Sequence, residues 1–132
     1  AIVIDKWLSL QAVSSRLDTL DKVKKLMDHR VFSIKQPNKV HALISAFCAS
    51  NPYRFHDPDG SGYRFLTDRI LQLDPINPQV AARLATRLGR WRGYDHNRAS
   101  LMQKELSRIL ATKALSPDVF EIASKSLSEG TP

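Results

Sequence analysis

"QPNKVHALISAFCASNP", residues 36–52, places Val40, Leu43, Ile44 and Phe47 at i, i+3, i+4 and i+7. Pro37 fits a first helical turn, where its missing N–H costs no bond, and the apolar spacing gives the helix one face to bury. Asn51-Pro52 then stops it. Helical spacing of this kind recurs along the whole chain, whereas two-residue alternation is never sustained, so the expected fold class is all-α.

The same signals set out about seven short helices. The first spans about Ile4 to Ser14 and carries Trp7, Leu8, Gln11 and Ala12. A second, capped by Asp18 or Thr19, presents Leu20, Val23, Leu26 and Met27. A fourth follows from about Gly62 to Leu73 and ends at Asp74-Pro75. Asn77 caps the next, with Pro78 in its first turn and Gly89 as its C-terminal stop. Asp95 opens a sixth through Leu101, Ile109 and Leu110. Ser116-Pro117-Asp118 opens a seventh with Val119, Phe120, Ala123 and Leu127, and residues 128–132 are expected to fray. Helices this short depend on packing against each other. Consecutive antiparallel pairs fit an α-solenoid or an irregular helical bundle. No fixed sequence period appears, and residues 1–132 read as a single helical domain cut from a longer chain.

A net charge of +7 raises a nucleic-acid reading. Many of the basic residues are interleaved with acids, however, and the concentrated patch is Arg83, Arg87, Arg90, Arg92 and Arg98. A single cysteine, Cys48, sits among helix-core residues and is expected to be a buried thiol. It leaves no intramolecular disulfide, which suits a cytoplasmic setting. No apolar run is long enough to span a bilayer.

"HDPDGSGYRFLTD", residues 56–68, resembles a calcium loop in its spacing of Asp57, Asp59, Ser61, Gly62 and Asp68. Pro58 interrupts the entering side, Arg64 stands where an apolar residue belongs, and Asp68 is shorter than the usual bidentate Glu. The stretch is read as a turn, with Ser61 available to cap the next helix. His29, His41, His56 and His96 lack the spacing of a zinc site. No catalytic residue and no metal ligand is expected in this chain. The helix after Asn77 is more informative. Gln79, Arg83 and Arg87 are spaced by four on one face, beside an apolar face of Val80, Leu84 and Leu88. A planar amide followed by guanidinium groups suits peptide amides and carboxylates.

Four stretches in order, "VIDKWLSLQA", "HRVFSIKQPNKVHALISAF", "FHDPDGSGYRFL" and "NPQVAARL", resemble the C-terminal helical domain of the bacterial aminopeptidase N family of zinc-dependent gluzincin aminopeptidases. The resemblance implies an accessory domain that closes and lines the substrate chamber and is inactive alone. Its partners would be the upstream catalytic domain, which holds the zinc, and peptide substrates, with neither nucleic acid nor membrane. It further implies that Gln79 reaches the pocket for the substrate's N-terminal side chain and that Arg83 faces the downstream peptide and its carboxylate. His41 stands where relatives place an arginine, and a histidine carries less charge near neutral pH. A nucleic-acid-binding helical module using Arg83 to Arg98, and a protein-interaction solenoid, are the competing readings. An apolar face around Trp7 is expected to be open in the domain taken alone.

Overall fold

A computed structural model describes residues 2–14, 16, 18–29 and 32–128 of the chain. The side chains of residues 2, 49, 50, 52 and 53 lie outside that description, as do residues 129–132, where most of the expected fraying falls. All regular structure among the described residues is helical, as the apolar spacing required. The chain divides into two compact units, residues 1–57 and 58–132, described in turn.

The first unit holds α1 (Ile2–Ala12), α2 (Thr19–Met27), α3 (Pro37–Val40), a π-helical turn (His41–Ser45), α4 (Ala46–Ser50) and α5 (Pro52–Phe55). The amphipathic stretch that opens at Pro37 is therefore helical throughout but widened in its middle, where the Ala46 N–H reaches the His41 carbonyl five residues back. α1 packs against that widened turn, and the Ser9 hydroxyl donates to the Ala42 carbonyl at 2.9 Å. Leu8, Ala12, Val23, Leu43, Ile44 and Phe47 are fully buried. Phe47 meets Phe55 edge to face at 6.3 Å, a favoured aromatic geometry. Cys48 is buried as expected. Asp18 stands at the N-cap of α2 without a side-chain cap bond; its carboxylate pairs instead with Arg16.

Asn51 does more than stop a helix. It is almost wholly buried, and its amide donates to the carbonyls of Ala12 (2.8 Å) and Ser14 (2.7 Å). Its oxygen accepts from the Arg54 N–H at 3.2 Å. One side chain thus satisfies carbonyls at and just past the end of α1 and a first-turn N–H of α5, groups that a helix leaves without internal partners.

The second unit contains α6 (Ser61–Leu73), α7 (Pro78–Ala85), a 3₁₀ segment (Leu88–Gly93), α8 (His96–Leu110) and α9 (Pro117–Ser128). Its core is built from Tyr63, Leu66 and Ile70 of α6, Ala81 and Ala85 of α7, Met102, Leu106 and Ile109 of α8, and Val119 and Ala123 of α9. Local capping explains most of the starts. The Asn77 side chain accepts from Val80 N–H at 3.2 Å, and Asp95 accepts from Arg98 N–H at 3.1 Å. Ser116 accepts from Val119 N–H at 3.2 Å and is itself held by the buried Asp74, which accepts from both its backbone N–H and its hydroxyl. The end of α6 is thereby tied to the start of α9.

Three details differ from the sequence expectation. Ser61 is the first residue of α6 rather than its cap; Gly60, at φ 78°, holds the N-cap position in a left-handed conformation that suits glycine. Phe120 is 53% exposed, because the buried stripe of α9 runs through Val119 and Ala123, a helical turn apart. Gly89 does not end α7. The helix stops at Ala85, and the Thr86 hydroxyl turns back onto the Arg83 carbonyl at 2.6 Å. The backbone then tightens into i→i+3 bonds, and Gly89 lies inside the 3₁₀ segment. A Cβ at Gly89 would sit 2.6 Å from the Ser126 hydroxyl of α9, so close approach between the two elements is what requires glycine there.

Tyr63 has no exposed surface, and burial pushes its phenol up to about 12, with the Arg98 charge pulling the other way. An unfolded tyrosine loses its proton near ~10. A group whose folded pKa is raised contributes stability that is intact below the unfolded value and is lost as pH rises, here between about 10 and 12. Two pKa units correspond to about 2.7 kcal/mol at most. Helicity followed by circular dichroism should therefore fall in that window, and Tyr63→Phe should flatten the loss. An identical alkaline profile in the variant would assign the loss to other groups.

Candidate functional site

The helix face of Gln79, Arg83 and Arg87 is fixed by what α7 buries. Ala81, Leu84 and Ala85 turn into the core, and α7 packs against α6 and α9. Gln79 and Arg83 are left exposed and Arg87 half-buried. Residues at four-residue spacing share a face in an α-helix, and residues three apart eclipse in a 3₁₀ helix. Arg90, exposed in the 3₁₀ segment, thus extends the row begun by Arg83 and Arg87. Among the described residues, none of these three guanidinium groups has an acid or hydrogen-bond partner. The first turn of α7 adds the partial positive charge of its N-terminus near Gln79.

The rest of the basic patch is structurally engaged. Arg92 lies 4.0 Å over the Trp91 ring and donates to the carbonyls of Ser126 (3.3 Å) and Leu127 (3.4 Å). The Trp91 indole N–H reaches the same Ser126 carbonyl at 2.9 Å. Trp91 and Arg92 therefore close the C-terminal end of α9, a role that no local sequence signal announces. Arg98 pairs with Asp95 at 2.9 Å and, through that side-chain bond, holds the Asp95 carboxyl below the usual carboxylate range. What had read as one five-arginine patch separates into a free row, Arg83–Arg87–Arg90, and two engaged arginines, Arg92 on the end of α9 and Arg98 on Asp95.

His41 is exposed in the first unit at the start of the widened turn. His29 lies 6.0 Å from the Trp7 ring, and His56 lies 4.7 Å from Phe55. In the calcium-like stretch, Asp59 accepts from the Ser61 N–H at 2.8 Å. Asp68 lies well inside α6, where Arg108 grips it at 2.9 Å and also binds Glu105 at 2.8 Å. A twelve-residue loop cannot form where its last eight residues are helix. Among the described residues no three His, Cys, Asp or Glu side chains group as metal ligands. No described helix is long and apolar enough to cross a membrane.

Each unit is all-α among its described residues, and the second presents an open row of cations, Arg83, Arg87 and Arg90. The chain belongs to the family described as a domain of unknown function (DUF3458_C) with ARM repeats, which matches residues 1–128. It is 46% identical over 126 residues to aminopeptidase N of Caulobacter vibrioides, covering 96% of this chain and 15% of that protein. Aminopeptidase N of Escherichia coli is 42% identical over 127 residues, again with 96% and 15% coverage. A crystal structure of Legionella pneumophila aminopeptidase A in complex with aspartic acid superposes with a TM-score of 0.89 at 40% identity, over 94% of this chain and 14% of that one. The resemblance read from the four sequence stretches is thus upheld at the level of family, and the chain spans about one seventh of the length of these relatives.

Proposed function

We propose that this chain is the C-terminal accessory domain of a zinc metallo-aminopeptidase that removes N-terminal residues from peptides. The observation that carries the reading is the 42–46% identity to aminopeptidase N across 96% of the chain. In this reading residues 1–132 close and line the substrate chamber, and the zinc with its ligands belongs to an upstream catalytic domain of the same polypeptide, in the cytoplasm. The residues of this chain bind and orient; they do not cleave. Gln79 offers an amide donor and acceptor to the pocket for the substrate's N-terminal side chain. Arg83 offers a guanidinium to the downstream peptide and its carboxylate, and a planar fork without an internal acid partner suits that task. His41 is the third contact of this reading.

The open row also suits nucleic acid, but it is short. Two of the five patch arginines are engaged within the fold, and the Trp91 ring is covered by Arg92 rather than open for base stacking. Reading the gene upstream of Ala1 tests the proposal. An in-frame H-E-x-x-H followed by a more distant Glu is expected. A reading frame that lacks it removes the enzymatic parent and leaves a binding module.

A further inference from the structure

From Pro78 to Gly93 the sequence carries four arginines and no aspartate or glutamate. The acids that flank this stretch are engaged elsewhere, Asp74 with Ser116 and Asp95 with Arg98. On the helices packed against α7, Asp68 is held by Arg108 and Glu121 by Lys125. Arg92 is bonded to the end of α9. Arg83, Arg87 and Arg90 are left as cations without an acid partner among the described residues. Like charges four apart weaken a helix, and a ligand of opposite charge removes that cost. The backbone at Thr86 and Arg87 stays in the helical region, so the row is continuous from α7 into the 3₁₀ segment. With a rise of about 1.5 Å per residue in an α-helix and about 2.0 Å in a 3₁₀ helix, Gln79, Arg83, Arg87 and Arg90 follow one another in steps of about 6–8 Å. Side chains on one face of an extended peptide recur every second residue, about 6.4–6.8 Å apart. The two repeats match.

We propose that Arg87 and Arg90 form a downstream specificity site that selects peptide substrates with carboxylate side chains at their fifth and seventh residues. The proposal rests on the aminopeptidase reading, in which Gln79 meets the substrate's first side chain and Arg83 the peptide beyond the scissile bond. With the first residue at Gln79 and the third at Arg83, the same step places the fifth at Arg87 and the seventh at Arg90. The fourth and sixth side chains project from the opposite face of the extended peptide. A guanidinium can hold a carboxylate through two parallel bonds, which gives the site geometric as well as charge selectivity. Phosphates of a nucleic acid would also meet the charge, but the Trp91 ring beside the row lies under Arg92 and offers no open face to a base.

The test follows release of the first residue by the full-length protein from three alanine heptapeptides, amidated so that no terminal carboxylate interferes. One carries glutamate at the fifth and seventh residues, one glutamine at the same places, and one glutamate at the fourth and sixth. The first should exceed the second in kcat/KM by at least about fivefold, the sum of two exposed charge contacts, whereas the third should exceed it by less than about twofold. Raising salt from 0.1 M to 1 M shortens the Debye length from about 10 Å to about 3 Å and should erase the preference. Arg87→Gln with Arg90→Gln should bring the glutamate-to-glutamine ratio to about one, and Arg87→Lys with Arg90→Lys, which keeps both charges, should hold it above about twofold. A wild-type ratio near one, an unchanged ratio in the glutamine variant, or equal preference for both glutamate registers would overturn the proposal and leave the aminopeptidase reading standing. Inhibition by a thymidine octanucleotide at concentrations below the KM of the favoured peptide, lost in the glutamine variant, would overturn it in favour of nucleic acid. No release from any of the three peptides by the folded wild-type protein would remove the aminopeptidase reading and this proposal together.

Discussion

In the full-length protein, Arg83→Ala should lower kcat/KM for tripeptides by roughly ten- to a hundredfold while changing that for single-residue amide reporters little. A charge-assisted hydrogen bond is worth about 1.5–3 kcal/mol, which sets that range. The guanidinium is exposed and has no acid partner among the described residues, so its removal leaves no buried charge behind and should not unfold the domain. The split between substrates is the informative part. A tripeptide carries a carboxylate beyond its scissile bond, and a small amide reporter does not. Gln79→Ala should change the ranking of N-terminal residues instead. Wild-type kcat/KM from both variants across peptides and reporters would return Gln79 and Arg83 to a plain solvated helix face.

Asn51→Ala should destabilise the chain by about 3 kcal/mol or more. Each lost hydrogen bond contributes about 1 kcal/mol, and a buried group left unpaired costs about 1–3 kcal/mol further. Here two carbonyls, of Ala12 and Ser14, and the Arg54 N–H lose their partner together. Because the three bonds join α1 to the start of α5, their effects should be coupled rather than additive. Asn51→Asp keeps the acceptor for Arg54 but removes both donors, so it should be damaging as well. Urea unfolding monitored by circular dichroism measures both. A loss below about 1 kcal/mol for Asn51→Ala would mean that water replaces the amide without difficulty.

These two residues also mark how far the sequence could be read. Asn77, Asp95 and Ser116 were recognisable as helix starts because a cap is local chemistry, settled within three or four residues. Val40, Leu43, Ile44 and Phe47 were recognisable as core for the same reason, since helical periodicity is written along the chain. Asn51 was visible only as a stop, because its partners lie 37 and 39 residues away. Gly89 was misplaced because its reason is the Ser126 side chain of α9, not the end of α7. Phe120 was assigned to the buried stripe of α9 because apolar character alone does not say which of two adjacent positions faces inward. The widening at His41–Ser45 also escaped local reading, as it accompanies the Ser9–Ala42 bond between helices. Gln79 and Arg83 were legible as a face but not as free groups. Only the structure separates Arg83 from Arg92, which carries the same charge but is bonded to the end of α9, and from Arg98, which is paired with Asp95.

The most direct measurement is release of N-terminal residues from a tripeptide by the purified 132-residue chain and by the longer protein that contains it, each with added zinc and then with a chelator. The account predicts no turnover by the short chain in either condition and turnover by the long one that the chelator abolishes. Chelator-sensitive turnover by the short chain, or none by the folded long protein with zinc present, would contradict it.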